Sequence, residues 1–433
     1  MILRSRTDTK NRSGSNGSKD TIRTSFGRFF RAGALGLVVL STGVSCNYIE
    51  SIKAERREAQ IVELLDSLKT GDLAARQYFS PKVIQHQIKD ERVGRALLKL
   101  ALDDENINVS QAAAAALGKM GYAEEVSEVI AALKSPDRGV RSRALYVLKA
   151  VGEHAANEKS IKALVGLLGV EDAEVGAVEA LANIGKPAVP VLIEASKHKN
   201  PAVRSGAAKA LGWIEDESAA DALRNLLDDQ NEDVRVSAIW AVGVLKDKAS
   251  VRKIIVALKT ASPRVRAHAA GALGEIADSS AVPALGEALK DEDYNVRNIA
   301  LNALENLGRP AVPALLEALR SRYVHLHVEV ARILGNLKDE RAVPGLIESL
   351  KEQYPTIRNA AIYALAEIGK PAIPDLIKVL KSRNSDVRAA AAEALGEIGD
   401  EAAREPLAIA LTDRNERVRY AAAEALGKIN QGK

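Results

Sequence analysis

The side chains of this chain that could do chemistry are repeated along it rather than gathered in one place. Arginine recurs at Arg204, Arg235, Arg266 and Arg297 in steps of 31 residues, and again at Arg358, Arg388 and Arg419. His327 stands in the series between them, and Arg141 and Ser110 hold the same place upstream. A guanidinium is a planar fork that binds phosphate or carboxylate in bidentate fashion, so a ladder of them could hold an acidic ligand. The same fork can tie down carbonyls or acids at turns, and Asp233 and Asp386 lie in such turns. A residue demanded by every unit is demanded by stacking, whereas a binding site is local. The arginines are therefore read as frame.

The remaining candidates for chemistry are sparse. The histidines are His86, His154, His198, His268, His325 and His327, and none is followed directly by Glu. His325 and His327 are two apart, which turns them to different sides of a helix and makes a poor chelating pair. A single cysteine excludes an intramolecular disulfide framework and a zinc cage. There is no phosphate-cradling glycine loop and no Ser/His/Asp elbow. No catalytic residue, metal ligand or cofactor is assigned, and a constellation spread over several units stays open.

The elements that carry these residues follow from periodicity. At 433 residues the chain exceeds the usual size of one hydrophobic core, and aromatics are only 3%. An interior of Ala, Leu, Ile and Val suits close-packed helices. About eleven units lie between residues 91 and 430, each reading as two short helices. Pro190, Pro283, Pro313, Pro344 and Pro374 fall in the first turns of first helices, where a missing amide costs little. Four residues before the arginine stand Asn106, Asp137, Asp172, Asn200, Asn231, Ser262, Asp293, Asn384 and Asn415, all good N-caps. Gly185, Gly308, Gly369 and Gly399 close second helices. Three residues after the arginine comes Ala, small enough for neighbouring helices to approach closely. One pair cannot bury its own apolar surface, so the units must stack into an all-α, right-handed superhelical solenoid over residues 91–433. Residues 56–90 fit the repeat poorly and are expected to form an N-terminal helical cap.

The first residues look like an address. Residues 1–45 hold eight basic side chains and two acids, which exceeds the net +4 of the chain and leaves the rest slightly negative. A near-neutral body argues against nucleic acid as a partner. The apolar run Ala32–Val44 is too short to span a bilayer, and with its basic lead-in it reads as a signal peptide over residues 1–45. The only cysteine, Cys46, follows Ser45 where that run ends. This resembles the lipobox of bacterial lipoproteins, in which the cysteine is acylated and becomes the new N-terminus. The resemblance implies export, a membrane anchor at Cys46 and a tether over residues 46–55. Asn47 is not the aspartate associated with inner-membrane retention, which points to the outer membrane.

The period near 31, the VRxxAAxALG second helix and the AVPxLxxAL first helix resemble the HEAT-like repeats of the phycobilisome-lyase type, over about four-fifths of the chain. In that family second helices line a concave face whose variable exposed positions carry specificity. Counted from the arginine, those positions are one, two, five and nine residues later. They hold Arg143, Tyr146, Lys209, Trp213, Trp240 and His268 in the earlier units, and Glu367, Glu393, Glu397 and Glu424 towards the C-terminus. Trp213 and Trp240 are the only tryptophans and fall in adjacent units, so their rings are expected to share a patch. The resemblance implies a scaffold that binds a protein partner. The alternative it leaves is an enzyme or enzyme subunit, lyase-like, acting on a modified protein.

Overall fold

The computed structural model describes residues 46–69, 71–122, 126–321 and 324–431. Among them every regular element is helical, with 24 α-helices and nine short 3₁₀ turns. The chain divides into two compact units, residues 1–79 and 80–433. The expected signal peptide over residues 1–45 lies outside the described residues.

Residues 46–55, expected as a tether, open the 24-residue helix Cys46–Lys69. The stretch contains no Gly or Pro and is rich in Glu, Lys, Arg, Leu and Ala, residues that lose little by becoming helical. From Glu50 onward only Ile61 and Leu64 of this helix are buried. Over residues 56–90, expected as a helical cap, the division between the units falls at Phe79, inside the helix Leu73–Gln85.

The second unit is an α-solenoid of eleven helix pairs. They run from Glu91–Asp103 with Ile107–Met120 to Arg404–Ala410 with Glu416–Asn430. The caps explain where second helices start. Asn106, Asp137, Asn200, Asn231, Ser262, Asp293, Asn384 and Asn415 each accept a backbone N–H of the first turn. Such a cap contributes roughly 0.5–2 kcal/mol. Asp172 departs from the pattern. Its helix begins at Glu174 after Ala173, and the Asp172 carboxylate pairs with Arg141 instead.

Second helices pack against each other from unit to unit as well as on their own first helices. Burial therefore extends well beyond a single stripe. In Ser385–Ile398 the buried set includes Val387, Ala391 and Leu395, and also Ala389, Ala390, Ala392 and Gly396. Ala207, Ala238, Ala269, Ala300, Ala361, Ala391 and Ala422, each three residues after the arginine slot, are 0% exposed. The close approach is tightest eight residues after that slot. A Cβ on Gly396 would lie 2.6 Å from the Cα of Ala425 in the next helix. Gly427, the equivalent residue in the last pair, has nothing within 4 Å.

The repeated arginines hold the turns. Arg141, Arg204, Arg235, Arg297, Arg358, Arg388 and Arg419 each donate through Nη1 to the carbonyl six residues earlier, at 2.6–2.9 Å. Arg266 reaches the Ala261 carbonyl at 2.9 Å. The two substitutes do related work: His327 Nε2 lies 3.0 Å from the Ser321 carbonyl, and Ser110 Oγ donates to Ala101 at 2.6 Å. At four joints the fork also reaches the next unit, Arg141 taking Asp172 at the first of them. Arg204, Arg266 and Arg388 bind Asp229, Asp291 and Asp413 in bidentate fashion at 2.7–2.8 Å. The carbonyls of these aspartates in turn accept from Arg235, Arg297 and Arg419. Asp233 and Asp386, the acids expected as partners, instead receive Arg264 and Arg417 at 2.6 and 2.7 Å.

The clasps shift the aspartates in one direction. Arg204 and Arg388 hold the carboxyls of Asp229 and Asp413 below 3.8. For Asp291 burial pushes upward most, but the Arg266 hydrogen bond with the other attractions outweighs it and the net shift is also down. A depressed folded value means stability that is present above about pH 4 and lost as pH falls through it. Replacing all three by Asn will flatten the loss of stability below pH 4 in urea titrations. An unchanged acid limb would show that the clasps contribute nothing. The glycine face gives a second test. Gly396→Ala will lower stability by about 1–3 kcal/mol through overpacking, whereas Gly427→Ala will raise it by about 0.5–1 kcal/mol through helix propensity. Equal effects of the two, read by urea unfolding, would refute the packing account.

Candidate functional site

The exposed register of the second helices brings three of the predicted residues together. Trp213 is nine residues after Arg204 on Pro201–Ile214, Trp240 five after Arg235 on Glu232–Val244, and His268 two after Arg266 on Pro263–Ile276. Gly212 makes room for the second indole, since a Cβ there would lie 2.6 Å from Trp240 Cζ3. The two rings meet with centroids 5.3 Å apart and planes tilted by 56°. Trp213 is 61% exposed, whereas Trp240 is half-buried. Both rings line an open groove of about 480 Å³, together with His268, Val244, Glu275 and Ile299. Gly243, Gly271 and Ala272 also line it, so bare backbone and methyl groups leave its middle open.

The electrostatics of the groove are uneven. Partial burial in the groove wall pushes the His268 imidazole below its ordinary 6.5, and the Arg264 charge adds to this. Glu275 makes no hydrogen bond or ion pair among the described residues. It stands nine residues after Arg266, in the same register as Trp213, and the residue pattern could have singled it out by that position. Sequence reasoning missed it because one glutamate among many helix-face glutamates carries no signal of its own.

Three other predicted residues do not belong to this groove. Arg143 donates from Nε to the Leu102 carbonyl at 2.6 Å, a tie to the preceding unit. Lys209 is paired with Glu174 at 2.7 Å. Tyr146 is 41% exposed, with the Lys149 ammonium 5.9 Å from its ring centroid. The acidic C-terminal face is also less charged than its sequence implies. Glu367 pairs with Lys338, Glu397 with Lys428, and Glu424 accepts from the Tyr420 hydroxyl. Glu393 has its carboxyl pushed up, first by burial and then by Glu424, against the opposing pull of Arg417. A second groove of about 460 Å³, lined by Val328, Arg332, Thr356, Asn359 and Tyr363, uses the same exposed register. Among the described residues no three of His, Cys, Asp and Glu are grouped to hold a metal ion. No described helix is long and apolar enough to cross a membrane.

The comparisons with known proteins agree with this architecture. A family model described as HEAT repeats matches residues 94–177, 171–243, 251–326, 312–380 and 373–433. No curated protein sequence matches. Among solved structures, yeast importin-β (Kap95p) is 17% identical with a TM-score of 0.51, over 82% of this chain and 59% of its own. Kap95p from a complex with RanGDP gives 17% identity and 0.51, over 83% and 60%. The chain thus spans about three-fifths of the importin-β structures it matches. The complex of CpcE and CpcF of phycocyanin lyase from Nostoc is 25% identical with a TM-score of 0.29, over 49% of this chain and 88% of that one.

The only two tryptophans of the chain share a groove with His268, so indole emission can report on that imidazole. Emission will be quenched on acidification with a midpoint below 6.5, and His268→Gln will remove the transition. A midpoint above 6.5, or one that survives the substitution, would refute this arrangement.

Proposed function

The chain belongs to the HEAT-repeat family, and from that premise we propose that it is a protein-binding scaffold held at a bacterial envelope by acyl chains on Cys46. The observation that carries the binding reading is the paired indole groove. Two large apolar rings, one exposed and one half-buried, lie side by side on a face where several other long side chains are tied to neighbours. Trp is among the residues most enriched where interfaces concentrate their energy. A solenoid suits this work because stacked units present an extended surface without a single closed pocket. The recurring VRxxAAxALG pattern supports a reading of the repeats as the phycobilisome-lyase type. The anchor rests on the order of basic lead-in, apolar run and cysteine in residues 1–46. Gly43 stands where a lipobox usually has leucine, so processing at Cys46 is the step to measure.

A photoreactive residue at Val244, in the groove, will give a discrete protein adduct in cells, while one at the exposed Val256 on a first helix will not. Trp213→Ala with Trp240→Ala will abolish the adduct at unchanged helicity. Cys46→Ser will abolish incorporation of labelled palmitate. Adducts that survive loss of both indoles would overturn the binding site, and label retained by Cys46→Ser would overturn the anchor.

A further inference from the structure

We propose that the Trp213–Trp240 groove is a cation site, which takes a lysine or arginine side chain of the partner protein against the paired indoles, with Glu275 as counter-charge. This rests on the reading of the groove as the partner's docking place and names the chemistry that fills it.

Charge complementarity argues for that occupant. An indole face carries the negative lobe of a quadrupole and attracts a cation within about 6 Å of its centroid. Two such rings stand 5.3 Å apart here and are tilted rather than stacked flat, so one cation beside them can lie within reach of both. The carboxylate in the same groove differs from most acids of this helix face. Glu174, Glu179, Glu305, Glu367 and Glu397 are each paired with a cation of a neighbouring unit, namely Lys209, Lys149, Arg332, Lys338 and Lys428. Glu275 lines the groove and has no such partner among the described residues. Its charge is left for something outside the chain.

Nothing inside the groove competes for that carboxylate. His268 is the only basic residue lining it, and burial and Arg264 both favour its neutral form. Arg264 itself is engaged by Asp233 at 2.6 Å and lies near Glu232 at 3.7 Å. Ile299 and Val244 add apolar surface that would cover the methylene stem of a long basic side chain. The groove is open and crosses the second helices of four successive units, from Trp213 to Ile299. That form fits a side chain carried in on a polypeptide better than a small free ammonium ion, which an enclosed cage would hold.

The test uses the full chain and its own two tryptophans as reporters. The probes are the peptide acetyl-Gly-Arg-Gly-Gly-Arg-Gly-amide, its citrulline counterpart, a leucine counterpart and tetramethylammonium chloride. The arginine peptide will change indole emission saturably. The citrulline and leucine peptides will bind at least about fivefold more weakly, and Glu275→Gln will weaken the arginine peptide by about three- to tenfold at unchanged helicity. Equal binding of the citrulline peptide, or no effect of Glu275→Gln, overturns the cation site. Tighter binding of the leucine peptide assigns the groove to apolar docking, and tighter binding of tetramethylammonium assigns it to a free ammonium ligand, so either result overturns the proposal as stated. The Val244 adduct separates this failure from failure of the scaffold reading. If the adduct needs both indoles yet ignores Glu275→Gln, the scaffold stands and the cation site falls.

Discussion

Every second helix of the solenoid except those at its ends has to lie between two others of its kind, and that constraint shapes the rest of the molecule. Helices approach that closely only where side chains are absent or reduced to a methyl group. The alanines three residues after the arginine slot, all without exposed surface, answer this demand, and so do glycines such as Gly274 and Gly396 set against Ala303 and Ala425. An aromatic-poor interior follows from it, since a large ring in these rows would force neighbouring helices apart. The two tryptophans are accommodated because they sit at the edge of the packed face. Even there, Trp240 needs the bare backbone of Gly212.

Close packing alone would not set the angle at which each pair joins the next. The arginine slot supplies a second, polar level of order. Its fork saturates carbonyls in the turn between the two helices of its own unit, groups that a short turn would otherwise leave unpaired. Where the following turn offers an aspartate, the fork reaches across to it, as at Asp229, Asp291 and Asp413. The corresponding places after Arg235 and Arg358 hold Thr260 and Ser382, which present no carboxylate. Joints with and without an ionic tie therefore alternate over parts of the array. The slot tolerates His327 and Ser110 because the indispensable contact is the hydrogen bond to a carbonyl, which an imidazole or hydroxyl can also make.

Function is left to what packing does not consume. Positions one, two, five and nine residues after the slot stay at the surface, and they hold the indoles, His268, Glu275 and, further on, Tyr363. Many long charged residues in the same register are drawn into ties between units, which removes their charge from any partner. A residue that remains untied in a groove is the more informative for that reason, and Glu275 beside the indoles is the clearest case.

The sequence by itself determined the period, the eleven helix pairs, all the caps named but Asp172, and the adjacency of the tryptophans. These are matters of register, and a repeat that copies its register from unit to unit makes them legible in one dimension. Only the tertiary structure decided which acid each arginine takes, that Arg143 and Lys209 serve as ties, that Glu275 joins the groove, and that residues 46–69 form one helix. Long flexible side chains settle on whatever the neighbouring unit offers within a few ångströms, a choice made across the stack and not along the chain. The exposed helix Cys46–Lys69 has little apolar periodicity for a reader of the sequence to detect, so only its helix-forming residues mark it.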